Sequence, residues 1–283
     1  MTGAPKRNLE VVIAYAYGAS DWKTVDVRRA FAENLAGIDL DFQPVDWRPF
    51  LPSPQAHLMR FIRSRDGEGG GAAPFPARAD LRATASERRA VVEGREAGRI
   101  SLDPLTRPAM RVVHHAMVDH AGITMADVLG YLRNPEAVLR PVTERLREVR
   151  NQAGKRPVVA VGLSLGGIIL VDSLARLLAR DEQPADLLVT VGSQSAALRA
   201  MGVMPSAPRD ELRPRLFTPW LNVWHEHDYL SYPAGAMFEF LGDVTDRRAV
   251  QRGAFPGVHS GYLNRSSRVF DHLGDAIRER FGG

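Results

Sequence analysis

Val158-Val159-Ala160-Val161-Gly162-Leu163-Ser164-Leu165-Gly166-Gly167-Ile168-Ile169-Leu170 is the stretch whose reading decides the fold. It opens with an apolar, β-branched run that suits a strand buried on both faces. It closes with an apolar run of helical character through Leu165 to Arg180. Between the two lies Gly-x-Ser-x-Gly. A chain that turns from strand to helix within so few residues needs glycine on either side of its apex. Gly162 and Gly166 stand two residues from Ser164, where side chains would collide. The apex residue itself adopts a strained backbone. The free N–H groups of the helix start point at the serine and favour an oxyanion there. Gly167 allows the helix to pack closely. The spacing therefore marks Ser164 as a nucleophile and not only as a turn residue.

Outward from this elbow, the chain alternates strand and helix. Leu9 to Tyr17 reads as a buried strand, Val25 to Leu35 as a helix and Leu40 to Trp47 as a strand. Helical patterns cover Arg111 to His120, Thr124 to Leu132 and Pro135 to Gln152. Asp186 to Val191 and Leu221 to Trp224 read as strands, and Ser267 to Phe281 as a closing helix. This β–α–β order predicts an α/β domain with a doubly wound, mostly parallel sheet. A single domain over 1–283 is expected. Residues from about 50 to 108 interrupt the pattern with the glycine- and proline-rich Asp66 to Pro76 and the arginine-rich Arg78 to Arg99. That stretch reads as a helical or loop insertion and a candidate lid, with an ungated surface loop as the equal alternative.

Composition sets limits. The 283 residues are 45% hydrophobic and 25% charged, enough for a sizeable core. The net charge of +4 suggests nucleic-acid binding at first sight. The positive charge is almost all arginine, however, and is interleaved with acids as in Glu144-Arg145-Leu146-Arg147-Glu148, the pattern of solvated helix faces. No nucleic-acid partner is expected. The absence of cysteine excludes disulfides, thiolate catalysis and zinc–thiolate sites. No signal peptide and no stretch of about 20 apolar residues is present, so a cytoplasmic location without a transmembrane segment is the expectation. The composition says nothing about oligomeric state.

A serine hydroxyl needs a base to become a nucleophile. In sheets with this kind of elbow the acid and the base follow the serine in the order Ser, Asp or Glu, His. His259 lies in the turn-rich loop Phe255 to Tyr262 before the final helix, where a base can reach the elbow. His272 falls inside the helix and reads as a surface or packing residue. Asp228, at the exit of the strand Leu221 to Trp224, is the preferred acid. Glu226 and Asp243 remain rivals. The oxyanion donors are expected from the N–H of Leu165 and from Gly18 or Ala19 after the first strand.

These residues resemble the α/β-hydrolase superfamily, and most closely its bacterial lipase/esterase-like members, a group similar also to the GPI-inositol-deacylase-like lipases. The resemblance rests on Gly162 to Gly167, on Val189-Thr190-Val191-Gly192-Ser193, on Asn222-Val223-Trp224 with Asp228, and on His259-Ser260-Gly261-Tyr262. It covers the chain from about Met125 onward together with the first strand. It implies a carboxylic-ester hydrolase acting on a small-molecule or lipid ester through an acyl-enzyme, with no cofactor. An acyltransferase or thioesterase would use the same residues, and a non-catalytic binding protein could keep the scaffold. Leu163 stands where many relatives have histidine, and Tyr17-Gly18 where many have His-Gly, which puts the shape of the oxyanion loop in question.

Two clusters invite a metal reading: His114, His115, Asp119 and His120 on one predicted helix, and His225-Glu226-His227-Asp228. In the first, His115 and Asp119 are i,i+4 neighbours on a helix but no further ligand is identifiable; for the second, hydrolysis by a triad needs no metal, so none is expected. Trp22, Trp47, Trp220 and Trp224 read as core before substrate contact.

Overall fold

The computed structural model describes residues 9–17, 24–51, 127–205, 218–238, 243–253, 255 and 257–282. The chain divides into two compact units, Met1–Pro52 with Asp127–Gly283, and Ser53–Ala126. The second unit takes in most of the stretch expected as a lid and lies outside the described residues, as does the predicted helix from Arg111 to His120.

The first unit is built on six strands: β1 (Leu9–Ala16), β2 (Ile38–Val45), β3 (Val158–Leu163), β4 (Leu187–Val191), β5 (Trp220–Trp224) and β6 (Val244–Arg248). They pair in the order β2-β1-β3-β4-β5-β6, and every pairing is parallel. The expectation of a mostly parallel sheet is met by one that is parallel throughout. The helices among the described residues are α1 (Thr24–Asn34), α2 (127–133), α3 (Pro135–Ala153), α4 (Leu165–Leu178), α5 (Ser195–Ala200), α6 (Gly257–Ser260) and α7 (Val269–Phe281).

Burial on both faces explains why the central strands show no polar alternation. Along β1, Val12, Ala14 and Ala16 enter one core and Val11, Ile13 and Tyr15 the other. Val142 and Leu146 of α3 and Ile168 and Val171 of α4 close the first core. Val27 and Phe31 of α1 and Phe270 and Ile277 of α7 close the second, with the rings of Phe31 and Phe270 5.3 Å apart. The sheet is thus wound on both sides, as the β–α–β order requires. Trp47, Trp220 and Trp224 are buried, in line with their reading as core, and Trp22 is outside the described residues.

Sequence patterning does not mark β6. Its residues Val244-Thr245-Asp246-Arg247-Arg248 form a mostly solvated edge, without the apolar run that marks a central strand. Strand order also fixes where the chemistry sits. The chain adds β2 on one side of β1 and β3 on the other, so the order reverses between β1 and β3. The crevice above that reversal, at the carboxyl ends of the strands, is where ligands bind in open α/β sheets. Ser164 follows the last residue of β3 at this place.

Candidate active site

Ser164 has φ 52° and ψ −121°, a conformation that side-chain-bearing residues rarely adopt. Two backbone bonds hold it there: its N–H donates to Val191 O at 2.8 Å, and its carbonyl accepts from Gly167 N at 2.9 Å. The flanking glycines are required by contact. A Cβ on Gly162 would stand 2.6 Å from Gly167 Cα, and one on Gly166 2.4 Å from the carbonyl oxygens of Ala16 and Tyr17. A Cβ on Gly167 would lie 2.8 Å from Ser193 Oγ, consistent with its reading as a close-packing position. The elbow is therefore wedged between the ends of β1 and β4. With this strand, elbow and helix in a doubly wound parallel sheet, the fold is that of an α/β-hydrolase.

Asp228 is positioned by a polar network laid across the sheet. Trp220 Nε1 donates to Thr190 Oγ1 at 2.7 Å, and Thr190 Oγ1 donates to Asn222 Oδ1 at 2.8 Å. Asn222 Nδ2 donates to Asp246 Oδ1 at 2.7 Å and to Tyr232 O at 2.9 Å. Asp246 in turn accepts from the backbone N–H groups of Ala234 and Gly235, each at 2.8 Å. The loop after β5 is thereby tied at its far end to β5 and β6. At its near end Asp228 N donates to His225 O at 3.1 Å and Ser231 N to Asp228 O at 3.2 Å. His225 is part of the same frame. Its Nδ1 accepts from His227 N at 3.0 Å, and its Nε2 lies 3.2 Å from Gln251 O, which makes it a structural histidine.

The three predicted side chains meet. Ser164 Oγ lies 3.0 Å from His259 Nε2, and His259 Nδ1 lies 2.8 Å from Asp228 Oδ2. All three residues are buried, Asp228 completely. Asp228 Oδ1 accepts from Leu230 N at 2.9 Å, and Oδ2 accepts a second bond, from the Tyr262 hydroxyl at 2.8 Å. Burial by itself would push the Asp228 carboxyl up. The hydrogen bond and charge of His259, with the Leu230 and Tyr262 donors, outweigh it and hold the carboxyl below its ordinary value. The carboxyl therefore favours its ionised form beside the imidazole.

The rival acids go elsewhere. Glu226 is partly exposed and pairs with Arg248. Asp243 O accepts from Trp220 N at 2.9 Å, which puts Asp243 at the amino edge of the sheet, opposite the elbow. His272 lies on α7, where its Nε2 is 3.1 Å from Arg248 O. Leu165 opens α4, so its N–H has no acceptor within the helix and is available beside Ser164. Gly18 and Ala19 lie outside the described residues. The β1 exit leading to them is anchored by Trp47 Nε1, which donates to Tyr17 O at 2.6 Å. No group of three or more metal-ligating side chains occurs among the described residues, and His114, His115, Asp119 and His120 are outside them.

Sequence reasoning gave no role to two residues at this site. Tyr262 contacts Asp228 across 34 positions. Gln194 follows β4, and its Nε2 lies 3.5 Å from Ser164 Oγ. Neither contact has a local sequence signal, although both residues lie in or beside the segments that carry the resemblance.

No family model matches the chain, and no curated protein matches it by sequence. Among solved structures it is similar to an esterase of Pyrobaculum calidifontis (13% identity, 50% of this chain and 60% of that one, TM-score 0.39). It is similar also to a fungal esterase of Rhizomucor miehei (11%, 98% and 78%, 0.47) and to Est1E of Butyrivibrio proteoclasticus (9%, 99% and 91%, 0.47). The matched part spans about three fifths of the length of the Pyrobaculum enzyme. No helix among the described residues is long and apolar enough to cross a membrane.

Proposed function

We propose that this chain is a serine hydrolase that cleaves a carboxylic ester, of a small molecule or a lipid, through an acyl-enzyme on Ser164. The observation that carries the reading is the continuous chain of hydrogen bonds from Ser164 Oγ through the His259 imidazole to Asp228, anchored on a serine at φ 52°. A structural histidine would need neither a strained serine on one side nor a buried, doubly hydrogen-bonded carboxylate on the other.

In this reading His259 Nε2 removes the Ser164 proton as Oγ attacks the ester carbonyl. The electron pair displaced onto the carbonyl oxygen is met by the Leu165 N–H and by a second donor from Gly18 or Ala19. The protonated His259 then gives its proton to the leaving alcohol as the ester C–O bond breaks, and Ser164 is left acylated. Asp228 keeps the imidazole in the tautomer that presents Nε2 to the serine and stabilises the cation during both transfers. Side chains and backbone N–H groups suffice for these steps, and water then accepts the acyl group.

Intact-mass analysis after a fluorophosphonate, with peptide mapping, tests this directly. One adduct on Ser164 is expected, and Ser164→Ala should prevent it and lower hydrolysis of p-nitrophenyl esters by about 10³-fold or more. An unlabelled Ser164 in the folded protein would return the chain to the reading of a binding protein on a hydrolase scaffold.

A further inference from the structure

We propose that Gln194 holds the water that deacylates the enzyme and so directs the acyl group to water in preference to an alcohol. The inference rests on Ser164 being the nucleophile.

Two features of Gln194 need explaining. The residue is only 4% exposed, and its Oε1 is buried with no hydrogen-bond partner among the described residues. Buried polar atoms are nearly always paired, and one that is not carries the full cost of its desolvation. The side chain is also held at the nucleophile, with Nε2 3.5 Å from Ser164 Oγ, at the outer limit of a hydrogen bond. The amide therefore lies beside the hydroxyl without being committed to it.

Its backbone leaves it little choice of position. Gly192, at φ 61°, turns the chain after β4, and its N–H donates to Val223 O at 2.9 Å. A Cβ on Gly192 would stand 2.5 Å from the Tyr262 ring, so the loop is seated between β5 and the residue that supports Asp228. Leu198 N donates to Gln194 O at 3.0 Å and fixes the start of α5. The amide is thus placed by the same frame that places the triad.

The position within the sheet says which reactant it meets. In the proposed reading the oxyanion donors are Leu165, which opens α4 directly after β3, and a residue that follows β1, the neighbour of β3 on one side. Gln194 comes from the exit of β4, and Asp228 with its partner His259 from the exit of β5, both on the other flank. The leaving alcohol must lie on the histidine flank, because His259 Nε2 protonates it. Once it departs, the attacking water takes the same place.

A water molecule has two hydrogens to place before its lone pair can face the acyl carbon. Neutral His259 Nε2 accepts one, and Gln194 Oε1 accepts the other once the amide turns about χ3 and brings Oε1 to the side that Nε2 occupies beside Ser164 Oγ in the free enzyme. As the water oxygen bonds to the acyl carbon, the first hydrogen passes to Nε2 and the carbonyl electron pair moves to the oxyanion. On collapse the C–Oγ bond breaks, Oγ recovers the proton from Nε2, and the acid leaves. The second hydrogen remains on the product hydroxyl, so Gln194 neither gains nor loses a proton. It acts by orientation. An alcohol such as methanol has a single O–H hydrogen, which goes to Nε2, and Oε1 then has nothing to accept. Gln194 consequently favours hydrolysis over acyl transfer.

The test follows p-nitrophenyl butyrate with the full chain, with and without added methanol. In Gln194→Met, deacylation should slow by up to about 100-fold, so that kcat and KM fall together while kcat/KM, which reports acylation, stays within about threefold. A burst approaching one p-nitrophenol per active site should appear, and the ratio of methyl ester to free acid should rise. Gln194→Glu keeps an acceptor of the same reach and should restore the wild-type product ratio. Gln194→Leu, read in the same way, replaces the methionine variant if that protein does not fold. Loss of kcat/KM in step with kcat, with no burst and an unchanged product ratio, would make Gln194 a packing residue and overturn the proposal. Failure of the nucleophile reading itself is separable, because the wild type would then carry no phosphonate on Ser164.

Discussion

The hydroxyl of Tyr262 donates to the same Asp228 oxygen that receives His259 Nδ1, and it lies 2.9 Å from Ser231 Oγ. Tyr262 touches no reacting atom, so its contribution passes through the carboxylate. Tyr262→Phe keeps the ring and removes one charge-assisted donor from a fully buried anion, and the expected loss of stability at pH 7 is about 1.5–3 kcal/mol. Asp228→Asn should instead lower kcat/KM by about 10⁴-fold, through the wrong histidine tautomer. Urea unfolding and steady-state kinetics on the two variants separate support from orientation. An unchanged unfolding midpoint in Tyr262→Phe would remove the hydroxyl from this role. Ser164, Asp228 and His259 are legible in the sequence because the strand ends mark the loops that carry them. The sequence prefers Asp228 to Glu226, two residues apart in one turn, but leaves the decision open. It depends on which side chain faces inward, and Glu226 faces Arg248, 22 positions further on. Tyr262 and Gln194 are illegible for a related reason, since their partners are distant in the chain and their types carry no motif.

At the scale of the element, the elbow is the most constrained piece of backbone in the site. Gly166→Ala would bring a Cβ to 2.4 Å from the carbonyl oxygens of both Ala16 and Tyr17, which are backbone atoms at the exit of β1 and have no rotamer to yield. A loss of about 3 kcal/mol or more is expected, at the upper end of overpacking costs. Gly257 is the control. A Cβ there meets nothing within 4 Å, and the residue is the first of α6, so Gly257→Ala should be neutral or stabilising by up to about 1 kcal/mol. Thermal unfolding of both proteins reads the contrast, and equal midpoints would mean that the exit of β1 can retreat from α4. The elbow is the easiest element to read from sequence for the same reason: its glycines answer to sterics that any chain making this turn must obey. Strands β1, β3, β4 and β5 are legible because burial on both faces leaves mostly apolar runs, in which Thr190 and Asn222 are buried hydrogen-bonded to each other. Strand β6 lacks that signature. It is held by its ladder to β5 and by Asp246, contacts that leave no pattern along the chain.

At the scale of the whole molecule, Ser164, Asp228 and His259 are drawn from the ends of β3 and β5 and from the short helix α6, so the candidate site exists only while the sheet does. The converse coupling runs through Asp228, whose carboxyl is depressed by its partners in the folded state. A depressed carboxylate contributes stability that is fully present above its unfolded value, about 3.9 for aspartate, and is lost as pH falls through the lower folded value. Asp46, Glu136 and Glu182 are also lowered, by Arg48, Arg176 and Arg147, but all three lie at the surface, where solvent screens the pairing. Asp228 is therefore a carboxylate, among the described residues, through which acid should reach the core. Urea unfolding at intervals between pH 6 and pH 2.5 should show wild-type stability falling with a slope to which this one group adds at most about 1.4 kcal/mol per pH unit. The increment should appear below about pH 4 and be missing in Asp228→Asn, whose side chain cannot titrate. Parallel slopes in the two proteins would mean that the carboxylate binds its proton equally in the folded and unfolded chains. The bonds from His259, Leu230 and Tyr262 would then do no more than offset the burial of Asp228, and the triad would be a passenger on the fold.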